Sequence, residues 1–223
     1  RIPTLLCPSD EEMLRAAWGE LSYKVCLGTT IRNNHSPGRP EPNGIAYMLH
    51  RGSHLENPNR RRATVRIRDV RDGTANTIML SERRLGNFNK RDDIANTFSF
   101  EGGSPGNNNN IAEWYDQCWA TANANNGKRY DGNPTIVLAS DGSNRRKPGQ
   151  RWHSGMPQWV AFNTIIGPNG PSCVQNRPPA TYGLFTASSR HPTIVNGALC
   201  DGSVRQFADT IALGVWRGLG TKA

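Results

Sequence analysis

The chain has 223 residues, 35% hydrophobic and 20% charged, with 27 Lys and Arg against 18 Asp and Glu for a net charge of +9. Aromatic residues recur along the whole length, which excludes disorder throughout, and no apolar run approaches the roughly 18–20 residues of a membrane-spanning helix. The basic residues cluster at Arg60-Arg61-Arg62, Arg83-Arg84 and Arg145-Arg146-Lys147 without a basic helix, zinc-finger spacing or aromatic RNA-binding motif; a solvated basic surface is expected, with anionic polysaccharide or envelope polymer as plausible a partner as nucleic acid and no specific nucleic-acid recognition.

From the start, Ile2 to Leu6 reads as a short strand stopped by Pro8. Ser9 with Glu12 three residues on has the form of a helix N-terminus, and that helix runs to Trp18 and ends at Gly19. Leu21 to Leu27 alternates as a strand, residues 29–43 form a loop, and Gly44 to Leu49 is a further strand. A polar loop over 50–62 precedes an arginine-bearing strand, Ala63 to Ile67. Asp72-Gly73 marks a turn before a strong strand, Asn76 to Glu82. Residues 83–96 carry no clear period, and Asn107 to Asn110 reads as a loop tip. Trp114, Tyr115, Cys118 and Trp119 have roughly helical spacing within Ala112 to Ala122, although a strand also fits. An excursion over 123–151 leads to a strand from Val160 to Ile166, broken by Gly167-Pro168-Asn169-Gly170-Pro171.

Tyr182 to Ala187 and Thr193 to Cys200 are strands, Asp201-Gly202 predicts a type I′ turn, and Ser203 to Phe207 returns as the second arm of a hairpin. Ile211, Leu213, Val215, Trp216 and Leu219 place a terminal helix over Asp209 to Leu219. Together these elements predict an α+β fold: mainly antiparallel sheet, two or three short helices and long loops, in a single globular domain over residues 1–223.

None of the five cysteines forms a CxxC pair, which argues against a structural zinc site. An exported chain of this kind is expected to hold one or two disulfides and one leftover thiol. Cys200, in an apolar strand, is the expected free thiol. Cys7 with Cys173 and Cys26 with Cys118 is the preferred pairing, and spacing leaves the other connectivities open.

The histidines are His35, His50, His54, His153 and His191, and none of the cysteines has a protease-like flank. The carboxylate pairs Glu11-Glu12 and Asp92-Asp93 are adjacent in sequence and so point differently. Gly102-Gly103-Ser104-Pro105-Gly106 lacks the following Lys and Ser/Thr of a phosphate loop. Oxygen donors gather at Asp69, Asp72 and Asn76, at Asp141 with Ser143 and Asn144, and at Asp201 with Ser203. Calcium is the one cofactor these turns suggest, weakly. No EF-hand glutamate follows them, and side chains bonding their own turns explain the pattern better. His191 and Asp201 would lie ~30 Å apart along an extended strand, so His191 is expected to anchor the strand's start by hydrogen bonding while Asp201-Gly202 makes the turn.

Five blocks stand in order along the chain: Cys7-Pro8-Ser9-Asp10; Asp72-Gly73-Thr74-Ala75-Asn76-Thr77 through Glu82; Gly149-Gln150-Arg151-Trp152; Phe162-Asn163-Thr164 through Cys173; and His191 with Asp201-Gly202, an H-x9-DG ending. Together they resemble one bacterial family, the domain-of-unknown-function 1559 family of prepilin-type proteins. Thr193-Ile194 stands where the family has glycines, and Gly167 where it commonly has proline. The family's N-terminal prepilin helix has no counterpart here, so the chain looks like the C-terminal globular portion.

The resemblance implies a pilin-like globular domain: a non-enzymatic structural or assembly subunit of a type IV pilus-like or type II secretion-like filament. The head would face outward, extracellular or in the cell envelope, and would associate with itself or with other pilin-like subunits. It raises slightly the case for calcium in the Asp-rich turns. Two other readings remain: a secreted binding module for anionic polysaccharide, and a hydrolase, which would need a cleft joining His153 or His191 to a carboxylate.

Overall fold

A computed structural model describes residues 2–10, 19–31, 34–35, 43–49, 65–86, 97–100, 110–123, 149–174 and 182–222. Its largest sheet is built from β1 (Tyr23–Cys26), β4 (Ile78–Glu82), β6 (Ala161–Phe162), β9 (Ile194–Leu199) and β10 (Val204–Ala208), in the order β10-β9-β4-β1-β6. The first four strands of that order pair antiparallel, and β6 joins β1 in parallel. Two smaller sheets are β2 (Asn34–His35) with β3 (Met48–Leu49), and β5 (Phe98–Ser99) with β7 (Cys173–Val174) and β8 (Gly183–Leu184). The helices are α1 (Ile111–Asn123), α2 (Pro157–Val160) and α3 (Leu213–Leu219). The fold is α+β, as expected, with mixed sheets: the longer pairings are antiparallel, and β1–β6, β2–β3 and β5–β7 are parallel two-residue contacts.

Alternation along β9 decides which face of the main sheet is covered. Val195 and Leu199 point inward and are fully buried, while Ile194, Asn196 and Ala198 are only half-buried on the other side. The inward face packs with Cys26, Ile78, Phe162 and Phe207 against Trp216 of α3. The Trp216 indole lies 5.6 Å from the Phe207 ring and 6.4 Å from the Phe162 ring. Its N–H donates to the Ile166 carbonyl at 3.0 Å, so the largest side chain of this core leaves no donor unpaired.

A second core lies under α1. Trp114 and Cys118 are one turn apart, on one face of the helix, and both are fully buried with Phe100, Ile165, Cys173 and Leu184. The helical spacing of that segment therefore holds. The disulfide joins Cys118 to Cys173, which corrects the expected pairing. Cys118 and Cys173 line the same core. Cys26 lies beneath the main sheet, and Cys7 lies beside Glu82. Cys7, Cys26 and Cys200 are free thiols, so Cys200 is unpaired as expected.

Other local expectations change for identifiable reasons. Pro3 opens a 3-10 turn, Pro3–Leu5, where a strand was predicted. Ile67 is 80% exposed and starts a 3-10 turn, Ile67–Asp69, so the end of the strand predicted over Ala63 to Ile67 turns away from any core; residues 63 and 64 lie outside the described residues. α3 starts at Leu213 because Ala208 to Ile211 closes a turn first. The hairpin turn is not type I′. Gly202 has φ 88° while Asp201 keeps an ordinary negative φ, and Leu199 accepts from the Gly202 N–H and donates its own to the Ser203 carbonyl. This is a three-residue loop with glycine in the left-handed position. Most of the helix predicted to Trp18, and the excursion holding Asp141, lie outside the described residues.

Candidate functional site

Three positions far apart in sequence meet at one end of the main sheet. Glu82 is the last residue of β4 and sits opposite Tyr23 of β1. Its Oε2 accepts the Asn196 backbone N–H at 2.9 Å, and its Oε1 accepts the Asn196 side-chain amide at 3.1 Å. The carboxylate is thus fixed by β9 and is 3% exposed. His191, in the turn before β9, brings Nε2 to 3.4 Å from Glu82 Oε1. Cys7 follows the 3-10 turn at Pro3–Leu5, and its Sγ lies 3.6 Å from Glu82 Oε1 and 3.7 Å from His191 Nε2. Among the described residues, Cys7, Glu82 and His191 are the one group of three or more His, Cys, Asp or Glu whose donor atoms all lie within 4.8 Å of one another.

Neighbours hold this cluster in place. Burial pushes the Cys7 thiol above its ordinary pKa; hydrogen bonds from the Ser9 and Asp10 backbone oppose the shift, and the Glu82 charge adds to it. Burial also raises the Tyr23 phenol, with Cys7 and Glu82 adding to the effect. Asp10 is buried beside the cluster, where it accepts the Leu85 N–H at 2.8 Å and pairs with Arg190 Nε at 3.4 Å. Burial raises its carboxyl pKa, against the Leu85 N–H and the charges of Arg84 and Arg190. The Arg190–Asp10 pair thus runs beside the His191–Cys7 contact and joins the same two segments.

The arrangement is poorly suited to nucleophilic catalysis. A cysteine nucleophile needs its thiolate favoured, with the acid orienting the far side of the imidazole. Here the carboxylate touches the thiol itself, and the same histidine nitrogen faces both partners. The space beside Cys7, Asp10, Glu82 and Arg190 is about 10 Å³, the size of one water or small ion.

The other candidates are placed apart. Asp201 bonds its own turn, with Oδ1 accepting from the Ser203 N–H at 2.9 Å and hydroxyl at 2.7 Å. These bonds hold its carboxyl pKa below the usual value. It lies beyond the far end of β9 from His191, so the two side chains do not meet. Asp69 accepts the Arg66 N–H at 2.8 Å. Asp72 accepts the Thr221 hydroxyl at 3.0 Å, and its carbonyl accepts the Asn76 amide at 3.0 Å. These bonds are turn and tail chemistry. His153 is exposed and meets Trp152 edge-on at 5.9 Å.

Cys7 is a free thiol at this cluster and not a disulfide partner of Cys173, and Glu82 is a member that the sequence patterns do not single out. The available signal was that each of three motif blocks carries one donor: Cys7 in Cys-Pro-Ser-Asp, Glu82 closing the Asp-Gly-Thr block, and His191 opening H-x9-DG.

The outward face of the sheet is a second feature. A concavity of about 370 Å³ is lined by Tyr23, Leu80, Glu82, Asn196, Ala198 and Val204, so it borders the cluster. Val204 is 69% exposed there.

Residues 1–214 match the model of a family described as a protein of unknown function, DUF1559. No curated protein and no solved structure matches the chain.

Proposed function

The chain belongs to the DUF1559 family, and from that premise we propose that it is the outward-facing head of a pilin-like, non-enzymatic subunit of the cell envelope. The observation that carries this reading is the one-sided main sheet. Trp216, Phe162 and Phe207 cover one face. The other is concave and presents Tyr23, Leu80, Ala198 and Val204, an apolar surface of the kind that receives the apolar face of an amphipathic helix. A disulfide suits an extracellular or envelope location. The partners under this reading are further copies or other pilin-like subunits.

A photoreactive residue at position 204, in cells expressing the complete gene, tests the proposal. Cross-links to filament subunits in the sheared surface fraction are the expected result. A product found only inside the cell, or without cross-links to any subunit, would refute it.

The net charge of +9 supports a second reading, a binding module for anionic polysaccharide. It predicts retention on an acidic polysaccharide matrix that salt abolishes, with no filament cross-links.

A further inference from the structure

We propose that Cys7, Glu82 and His191 bind a zinc ion, with water as the fourth ligand. This goes beyond the filament reading and does not depend on it. The argument begins with the shape of the triangle. A tetrahedral zinc with Zn–S of about 2.3 Å and Zn–N and Zn–O of about 2.0–2.2 Å sets the distances between its ligands. Sulfur must lie about 3.6 Å from each of the other two donors, and nitrogen about 3.4 Å from oxygen. The observed separations are 3.6 Å from Cys7 Sγ to Glu82 Oε1, 3.7 Å from Cys7 Sγ to His191 Nε2, and 3.4 Å from His191 Nε2 to Glu82 Oε1. Three segments of chain thus present one face of a coordination tetrahedron.

The surroundings agree. Glu82 is oriented through both oxygens by Asn196, the outer-shell support that ligating carboxylates have. Thiolate, carboxylate and neutral imidazole together carry two negative charges, which a divalent ion neutralises in a site where Cys7 and Glu82 are 5% and 3% exposed. The donor set of sulfur, nitrogen and one oxygen selects zinc over calcium or magnesium. The His191 side chain is 32% exposed, so water has access to the open position. An ion held here would act as a clasp between three chain segments that are distant in sequence.

The test uses the full chain, free of any affinity tag, stripped with a chelator and titrated with cobalt(II). The expected result is one equivalent bound, with a thiolate-to-cobalt charge-transfer band in the near ultraviolet and the intense visible bands of a tetrahedral ion. Zinc should displace the cobalt and raise the thermal midpoint. Cys7→Ser should remove the charge-transfer band. Asn196→Ala should keep the band and weaken affinity roughly 10- to 100-fold. Cys200→Ser should change nothing. A wild-type chain that is folded by circular dichroism yet binds no cobalt, or binds it without the thiolate band, overturns the proposal. Loss of the band in Cys200→Ser overturns it as well. Because the wild-type spectrum alone decides the matter, a variant that fails to fold does not protect the idea.

Discussion

Opening the Cys118–Cys173 bond perturbs one core without changing the sequence. The two cysteines are 55 residues apart. Closing a loop of that length removes about 14 cal/mol/K from the unfolded chain, or about 4 kcal/mol at 25 °C. Both sulfurs are fully buried beside Trp114, Phe100 and Leu184, so the protein must be unfolded in a phosphine reductant and refolded in its presence. Urea unfolding of the reduced and oxidised forms is then compared. With a urea m-value of about 2–3 kcal/mol/M, the midpoint should fall by roughly 1.5–2 M. The thiols of Cys7, Cys26 and Cys200 are free in the oxidised form already, so the reductant acts on the one bond. A Cys118→Ala/Cys173→Ala chain should follow the reduced protein, with a further loss from the two missing sulfurs. A midpoint moving by less than about 0.3 M would show that this bond does not constrain the unfolded chain as argued.

Trp216→Ala should cost about 3–5 kcal/mol in chemical unfolding, because it empties the space between Phe162 and Phe207 and strands the Ile166 carbonyl. Gly202→Ala should cost about 1 kcal/mol, all of it backbone strain, since φ is 88° and a Cβ there meets nothing within 4 Å. Gly197→Ala should cost more and shift the Phe207 signals in NMR spectra, because its Cβ would lie 2.8 Å from that ring. Burial pushes the Cys26 thiol up to about 12 from an ordinary 9.0. The folded state therefore keeps a proton that the unfolded state releases above pH 9, and unfolding free energy should fall as pH rises from there toward 12. Cys26→Ala should flatten that slope; an unchanged slope would contradict the assignment.

What could be read from the sequence were local patterns. Trp114 and Cys118 at helical spacing pointed to α1, because that pattern reflects burial on one side of one element, and the apolar run Ile78 to Leu80 after the Asp72-Gly73 turn pointed to β4. The separation of His191 from Asp201 followed from strand rise alone. The turn type was not legible: Asp-Gly suits both a two-residue and a three-residue loop, and the Leu199–Ser203 bonding decides between them. The disulfide was not legible because its cysteines are 55 residues apart, one on α1 and one on β7, and only tertiary packing brings those elements together. Cys7, Glu82 and His191 escaped for the same reason. Metal-site spacing rules work where ligands share a loop, and here 75 residues separate the first pair and 184 the outer pair.

The place of β9 in the sheet governs when the molecule can be completed. β9 lies between β4 and β10, yet it starts at residue 194 of 223. Until it is synthesised, β4 presents an open edge with unpaired amides and carbonyls. At ~5–20 residues per second, the ribosome takes on the order of ten seconds to get from Glu82 to Ile194. Through that interval the nascent chain carries a β-edge that a neighbouring chain could join. A fold with this strand order favours a cell that delays folding until the C-terminal hairpin has emerged.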